Sequence, residues 1–181
     1  MAAGEGEGAP ADAAGDPARA SAYFESILAA VGIPLEAVGP LLADLKRSND
    51  REELWTVVPP GTPEALESLA EMGYTLGVIS NSDGRAARLL ARANLLSLVR
   101  FVIDSTFVGL EKPDSRIFRL GLDRAGVEAR QAIYVGDLYA VDVVGARKAG
   151  ITGVLVDPLW LDPSDCPRIR TVADLPGLLT V

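Results

Sequence analysis

The sequence contains no histidine, and Cys166 is its single cysteine. These two scarcities exclude a disulfide framework, a Cys/His zinc site and Ser-His-Asp or Cys-His nucleophilic machinery within the 181 residues. Basic residues are in the minority as well: 17 Lys and Arg stand against 25 Asp and Glu, a formal charge of −8. Nucleic acid and anionic membrane surfaces both attract proteins through a basic footprint, so the balance argues against either as main partner and for a small soluble one. No apolar run approaches the length of a membrane span, and the N-terminus has neither a basic flank nor an apolar h-region, so a cytoplasmic protein is expected. Whatever chemistry exists must run on carboxylates, lysine and hydroxyls.

Apolar residues make up 49% of the chain, enough for one sizeable core, which predicts a single domain with an appendage. The first twenty residues hold eight Ala and four Gly without apolar periodicity, and residues 1–20 are expected to be a disordered leader. In residues 21–57, Tyr23, Ile27, Leu28 and Val31 recur at helical spacing. A second helical stretch follows, expected to be interrupted at Gly39-Pro40, and plain core packing accounts for both. Residues 58–181 alternate helical patterns with short apolar runs: "TLGVIS", "FVIDS", "AIYVGD" and "TGVLVD" are strands, and amphipathic segments lie between them. Nearly continuous apolar strands alternating with helices predict an α/β fold, a doubly wound, Rossmann-like parallel sheet with helices on both faces.

Ligands of such sheets bind beyond the carboxyl ends of the strands, where the polar residues of this sequence fall: Ser80-Asn81, Asp104-Ser105, Asp137 and Asp157. Ser80 and Asn81 close a strand just before a helix expected to begin near Ser82 or Asp83. That arrangement suits an anion such as phosphate, or else Ser82 or Asp83 is simply the helix cap. Lys112, in the loop "GLEKPD", reads as a solvated lysine when judged alone. Asp137 and Asp142 are the sharper signal. Paired carboxylates at a strand end can hold a hard divalent cation such as Mg²⁺, or can serve as turn and helix caps. Gly136 leaves room for close approach by a ligand or neighbouring backbone.

Taken in order, "LGVISNSDGR", "VGLEKPDSRIF" and "YVGDLYAVDVVGARKAG" resemble the second, third and fourth motifs of the haloacid dehalogenase (HAD) superfamily of hydrolases, from about residue 59 to the C-terminus. The resemblance implies Mg²⁺-dependent hydrolysis of a small phosphorylated metabolite through an aspartyl-phosphate. Ser80 and Asn81 would line the phosphate pocket, Lys112 would bind phosphate and neutralise charge developing in the reaction, and Asp137 and Asp142 would serve the Mg²⁺ site. Residues from about 23 to 55 resemble part of the family's helical cap.

One departure accompanies the match. The family's first strand, which ends in a nucleophilic Asp-x-Asp and lies in the middle of the sheet, has no counterpart before Pro59; Asp12 and Asp16 follow no apolar run. Asp104, with Thr106 two residues on, imitates the pattern but occupies the place of the family's third strand. Without a central strand, two facing edges would carry unpaired N–H and C=O groups. The expectations are a truncated chain, a partner chain that supplies the strand, or a non-catalytic protein that binds phosphate or a partner. A dehalogenase that needs no metal is a further alternative. An unrelated doubly wound domain, such as a receiver-like or dinucleotide-binding fold, is a weaker alternative; against it, no G-x-G-x-x-G follows a strand and no G-x-x-x-x-G-K-[ST] is present.

Overall fold

The structure is a computed structural model that describes residue 25, residues 27–52 and residues 56–180. The expected leader at 1–20, and the expected helical positions of Tyr23 and Trp55, lie outside the described residues. After a helical turn at residues 27–30, helix α1 spans Leu35–Glu52 and runs straight through Gly39-Pro40, where an interruption is expected. An internal proline removes one hydrogen bond and crowds the preceding turn. Good helix formers follow it, Leu41, Leu42, Ala43, Leu45 and Lys46, and the ladder continues past the defect. Core packing does not account for this segment: among its described residues only Val38 is buried, while Val31 and Leu35 are 69% and 78% exposed.

From residue 62 the expected alternation appears. Helix α2, Thr62–Glu71, starts from Gly61 in the left-handed region, has a proline in its first turn, and buries Thr62, Ala65 and Leu69. Strand β1 (Gly77–Ser80) pairs in parallel with β2 (Phe101–Asp104), and helix α3 (Ala86–Arg92) connects them. A four-residue helix α4 (Ser105–Val108) leaves β2 and leads to α5 (Ser115–Ala125). The side chain of Asp114 caps α5 by accepting from Arg116 N, and Gly126, at φ 73°, closes the helix. Strand β3 (Ile133–Gly136) runs into a π-helical turn, Tyr139–Val143, that continues as α6 (Val144–Lys148). Strands β4 (Thr152–Val156) and β5 (Arg168–Ile169) and helix α7 (Leu175–Leu179) complete the chain.

The five strands form two parallel sheets, β1-β2 and β3-β4-β5. Apolar packing nonetheless treats them as one layer. On one face Ile117 and Phe118 of α5, Ala146 of α6 and Ile151 pack with Ile103 of β2, and Ile79 of β1 and Tyr134 of β3 join the same cluster. On the other face Leu69 and Leu175 pack with Val154 and Ile169, joined by Val135 of β3 and by Leu76 at the foot of β1. The fold is therefore a doubly wound α/β layer with helices on both faces. Strand β5 escapes the sequence pattern because it is two residues, Arg-Ile, with no apolar run.

Candidate active site

Because all pairings are parallel, Ser80, Asp104, Gly136 and Val156 bring their strands to a common carboxyl edge. At that edge Asn81 clasps the backbone of Lys112: Lys112 N donates to Asn81 Oδ1 at 2.8 Å, and Asn81 Nδ2 donates to Lys112 O at 2.9 Å. The end of β1 thereby fixes the loop that enters α5, in which the Lys112–Pro113 peptide is cis. The Lys112 ammonium turns inward and donates to Asp142 Oδ1 at 2.7 Å and to Tyr134 Oη at 3.1 Å. The side chains of Lys112 and Asp142 are only 13% and 2% exposed. Asp142 Oδ2 accepts from Leu138 N at 2.9 Å, so both carboxylate oxygens are engaged.

Gly136 makes this geometry possible. A Cβ at Gly136 would stand 2.3 Å from Asp142 Cγ, well inside van der Waals contact, so the close approach there is made by the Asp142 side chain and not by the ligand or neighbouring backbone expected. The π-helical turn after β3 carries Asp142 back under the strand end, with Asp142 N bonded to Leu138 O at 2.7 Å.

The electrostatics favour one protonation state. Burial disfavours the Lys112 cation, but Tyr134 and Asp142 and their hydrogen bonds outweigh burial and hold the ammonium above the ordinary lysine range. Burial pushes the Tyr134 phenol up to about 12. At neutral pH Tyr134 is therefore a neutral hydroxyl that accepts from Lys112 and donates to Ile79 O at 3.1 Å. An ammonium has three donors, and the two used here leave a third N–H for a ligand at the strand edge.

Of the residues singled out in the sequence, Asn81, Lys112 and Asp142 are brought together. Asp142 faces an ammonium, where the sequence reading has it serve a cation site with Asp137. Asp137 is exposed at the end of β3 and makes no hydrogen bond or ion pair with another described residue, and the same holds for hydrogen bonding by the Ser80 hydroxyl. No group of three or more Asp, Glu, His or Cys side chains suited to a metal gathers among the described residues. Mg²⁺ is a hard cation that takes one or two carboxylates and keeps several waters. Of the two carboxylates expected to serve it, Asp137 is open to such an ion, whereas both oxygens of the buried Asp142 are already engaged by Lys112 and Leu138 N.

Two carboxylates at the strand ends are structural. Asp104 Oδ1 accepts from Gly84 N and Thr106 N, both at 3.1 Å, and Oδ2 accepts from Ala86 N at 3.2 Å. One buried carboxylate thus serves the starts of both α3 and α4, which corrects the expected helix start near Ser82 or Asp83. Those positions do not cap α3: Asp83 pairs with Arg85, and Ser82 is bound to Ser105. The N–H groups of Gly84 and Ala86, which would have met an anion after Ser80-Asn81, are answered by Asp104. Asp157 likewise accepts from Leu161 N and Asp162 N and ties down the loop after β4. Tyr134 is the site residue that sequence reasoning missed; it sits mid-strand in an apolar run, and only its polar tip distinguishes it from core.

Comparison with known proteins gives this edge its context. A family model described as haloacid dehalogenase-like hydrolase matches residues 25–156. The human haloacid dehalogenase-like hydrolase domain-containing protein 3 is 36% identical over 148 residues, covering 80% of this chain and 59% of that protein. A ribulose-1,5-bisphosphate 5-phosphatase of Halopiger xanaduensis is 34% identical over 138 residues, covering 75% of this chain and 57% of that protein. The chain spans about half the length of the curated relatives it matches. Among solved structures, a HAD phosphatase from Thermococcus onnurineus superimposes with a TM-score of 0.68 at 23% identity, over 88% of this chain and 87% of that one, a likeness of fold. A 2-haloacid dehalogenase from Pseudomonas syringae gives 0.63 at 26% identity, over 88% of this chain and 69% of that one. A family match across most of the described residues, over a doubly wound layer of the same fold, leaves one assignment: the chain belongs to the haloacid dehalogenase-like hydrolases.

Proposed function

We propose that these residues form the phosphate-binding side of a Mg²⁺-dependent phosphate monoester hydrolase acting on small phosphorylated metabolites. The observation that carries the reading is Lys112, a buried ammonium held by Asp142 and Tyr134 with one N–H left for a ligand. Phosphatases among the relatives support it, including a glyceraldehyde 3-phosphate phosphatase from Methanothermobacter thermautotrophicus that is 36% identical over 99 residues, covering 54% of this chain and 44% of that protein. In this reading Lys112 donates to a phosphoryl oxygen and stabilises the charge that grows there. Asn81 holds Lys112 in register, and the Ser80 hydroxyl binds a second phosphoryl oxygen. Asp137 binds Mg²⁺ directly and Asp142 supports it, and the cation, when bound, supplies Lewis-acid polarisation of the phosphoryl group. Reaction through an aspartyl-phosphate requires a nucleophilic carboxylate, and Asp104 is unsuited because its oxygens already answer three backbone N–H groups. The nucleophile is therefore assigned to a segment outside the described residues. Residues 27–52 are read as part of a helical cap over the site.

Phosphate release from an aryl phosphate, with and without Mg²⁺, tests the reading on the purified chain and on the chain extended upstream by an apolar strand ending in Asp-x-Asp. Mg²⁺-dependent turnover by the extended chain, abolished in Asp137→Asn and reduced at least a hundredfold in Lys112→Met, is the expected result. Mg²⁺ or phosphate binding without turnover in either form would instead identify a binding protein. Halide release from a 2-haloacid without Mg²⁺ would identify a dehalogenase.

A further inference from the structure

Strand β5 ends while its neighbour β4 runs on toward its own amino end. Leu155 stands opposite Arg168, and in the parallel ladder Leu155 N donates to Pro167 O, as Asp157 N does to Ile169 O. Residues 153, 155 and 157 thus turn their backbone groups toward β5. By the same pattern Gly153 would give its N–H to Asp165 O and receive the N–H of residue 167. Neither bond forms. Residue 167 is a proline and has no N–H, and Asp165 O is taken by Arg147 Nη2 at 2.8 Å. Gly153 is buried, and the N–H and C=O it turns to this side have no partner among the described residues. Buried backbone groups are nearly always paired, with protein, water or a ligand. The space beside them is a cavity of about 280 Å³ whose lining includes Arg147, Ile151, Gly153 and Pro167. Arg147 makes no ion pair with a described residue; it donates to Tyr139 Oη and Asp165 O, which leaves guanidinium N–H groups over.

We propose that this cavity is a binding site for an N-acylated α-amino carboxylate, the group that ends a peptide chain. One carbon of that group carries an amide N–H and a carboxylate, the counterparts of the two groups Gly153 leaves open. Gly153 O accepts from the amide and Gly153 N donates to one carboxylate oxygen, the exchange made by two residues directly opposite each other in an antiparallel pair. The second carboxylate oxygen meets the Arg147 guanidinium, whose remaining donors and uncompensated charge suit it. A bare anion such as phosphate fits less well, because the Gly153 carbonyl would face its oxygens. The site lies on the side of β4 away from β3 and Lys112. The inference concerns binding alone and does not rest on the proposed hydrolysis.

The test follows the backbone amide resonances of the full 181-residue chain by NMR as N-acetylglycine is added. The Gly153 amide is expected to shift saturably while those of Asn81 and Lys112 stay in place. N-acetylglycinamide lacks the carboxylate and N-acetylsarcosine lacks the N–H, and each is expected to bind about fivefold more weakly or worse, the worth of one lost hydrogen bond. Arg147→Met should abolish the Gly153 shift. Pro167→Ala supplies the missing N–H, lets β5 lengthen against Gly153, and should weaken binding by a similar factor with no fall in urea midpoint, which separates loss of the site from loss of the fold. Acetyl-triglycine distinguishes two sources of the group: tighter binding than N-acetylglycine supports a peptide end, and weaker binding a free acylated amino acid. A Gly153 amide that does not move, equal affinity for the three small probes, or a shift that survives Arg147→Met overturns the proposal. So does a response to inorganic phosphate as strong as that to N-acetylglycine, which would mark a general anion site.

Discussion

Gly136 shows most directly how one residue governs the site. Its missing side chain is the space that Asp142 occupies, with 2.3 Å between a would-be Cβ and Asp142 Cγ. Gly136→Ala must push Asp142 away from Lys112, because the overlap is with the root of a short side chain and not with a flexible tip. We expect a loss of about 2–4 kcal/mol, combining overpacking with separation of a buried ion pair, read as a lower urea midpoint at unchanged slope. A fall in midpoint no larger than that of Gly177→Ala, where φ is ordinary and nothing lies within 4 Å, would show that the overlap with Asp142 does not set the cost. Much at this scale was legible in the sequence. Asn81, Lys112 and Asp142 stood out from the order of the motifs, and a close approach at Gly136 was anticipated, though by a ligand or backbone and not by the Asp142 side chain. Their mutual partners were not legible, since Lys112 meets residues 30 and 31 positions away, and chain order alone does not reveal which carboxylate an ammonium will face.

Among the elements, the strands were the most readable because each is an apolar run with a polar end, and the helices between them follow from spacing and capping residues such as Asp114. The start of α3 was not readable. Its cap arrives from Asp104, 18 and 20 residues further along, a distance over which no local capping rule operates. Asp104→Ala therefore removes the acceptor of three N–H groups at the starts of two helices and is expected to cost about 2–4 kcal/mol, measurable by urea unfolding. Aryl phosphatase activity in the extended chain should survive in proportion to the folded fraction; a complete loss of turnover in folded protein would return Asp104 to the chemistry. Helix α1 offers the opposite case. Pro40 sits inside it, and only Val38 among its described residues is buried. Pro40→Ala should raise far-UV helicity while leaving the urea midpoint of the sheet within about 0.5 kcal/mol, because an element with so little buried surface has weak means of transmitting its own stability. A midpoint that rose by the full propensity difference of about 3 kcal/mol would show that α1 unfolds together with the sheet.

For the whole molecule, alkaline pH is the informative variable. Lys112 and Tyr134 both bind their protons more tightly in the folded chain than at their ordinary values of 10.5 and 10.0. The stability they contribute is complete below about pH 10 and is lost as pH rises through their folded values, with Tyr134 near 12. A thermal or urea series from pH 9 to pH 12 should show a decline that begins near pH 10 and reaches about 2 kcal/mol for Tyr134, and Tyr134→Phe should flatten it. A decline of equal size in Tyr134→Phe would assign it to other groups. The general plan at this scale, a doubly wound α/β layer, was evident from the alternation of apolar runs and helical patterns. The sequence reading also foresaw two facing edges, but it gave no hint that a tyrosine would reach across them. That hydroxyl has two masters, accepting from Lys112 and donating to β1. Its position makes the two halves of the layer and the charged group at their rim parts of one thermodynamic cycle. Any anion that draws Lys112 toward itself alters the work of parting β1 from β3, and whatever parts those strands alters anion affinity by the same factor.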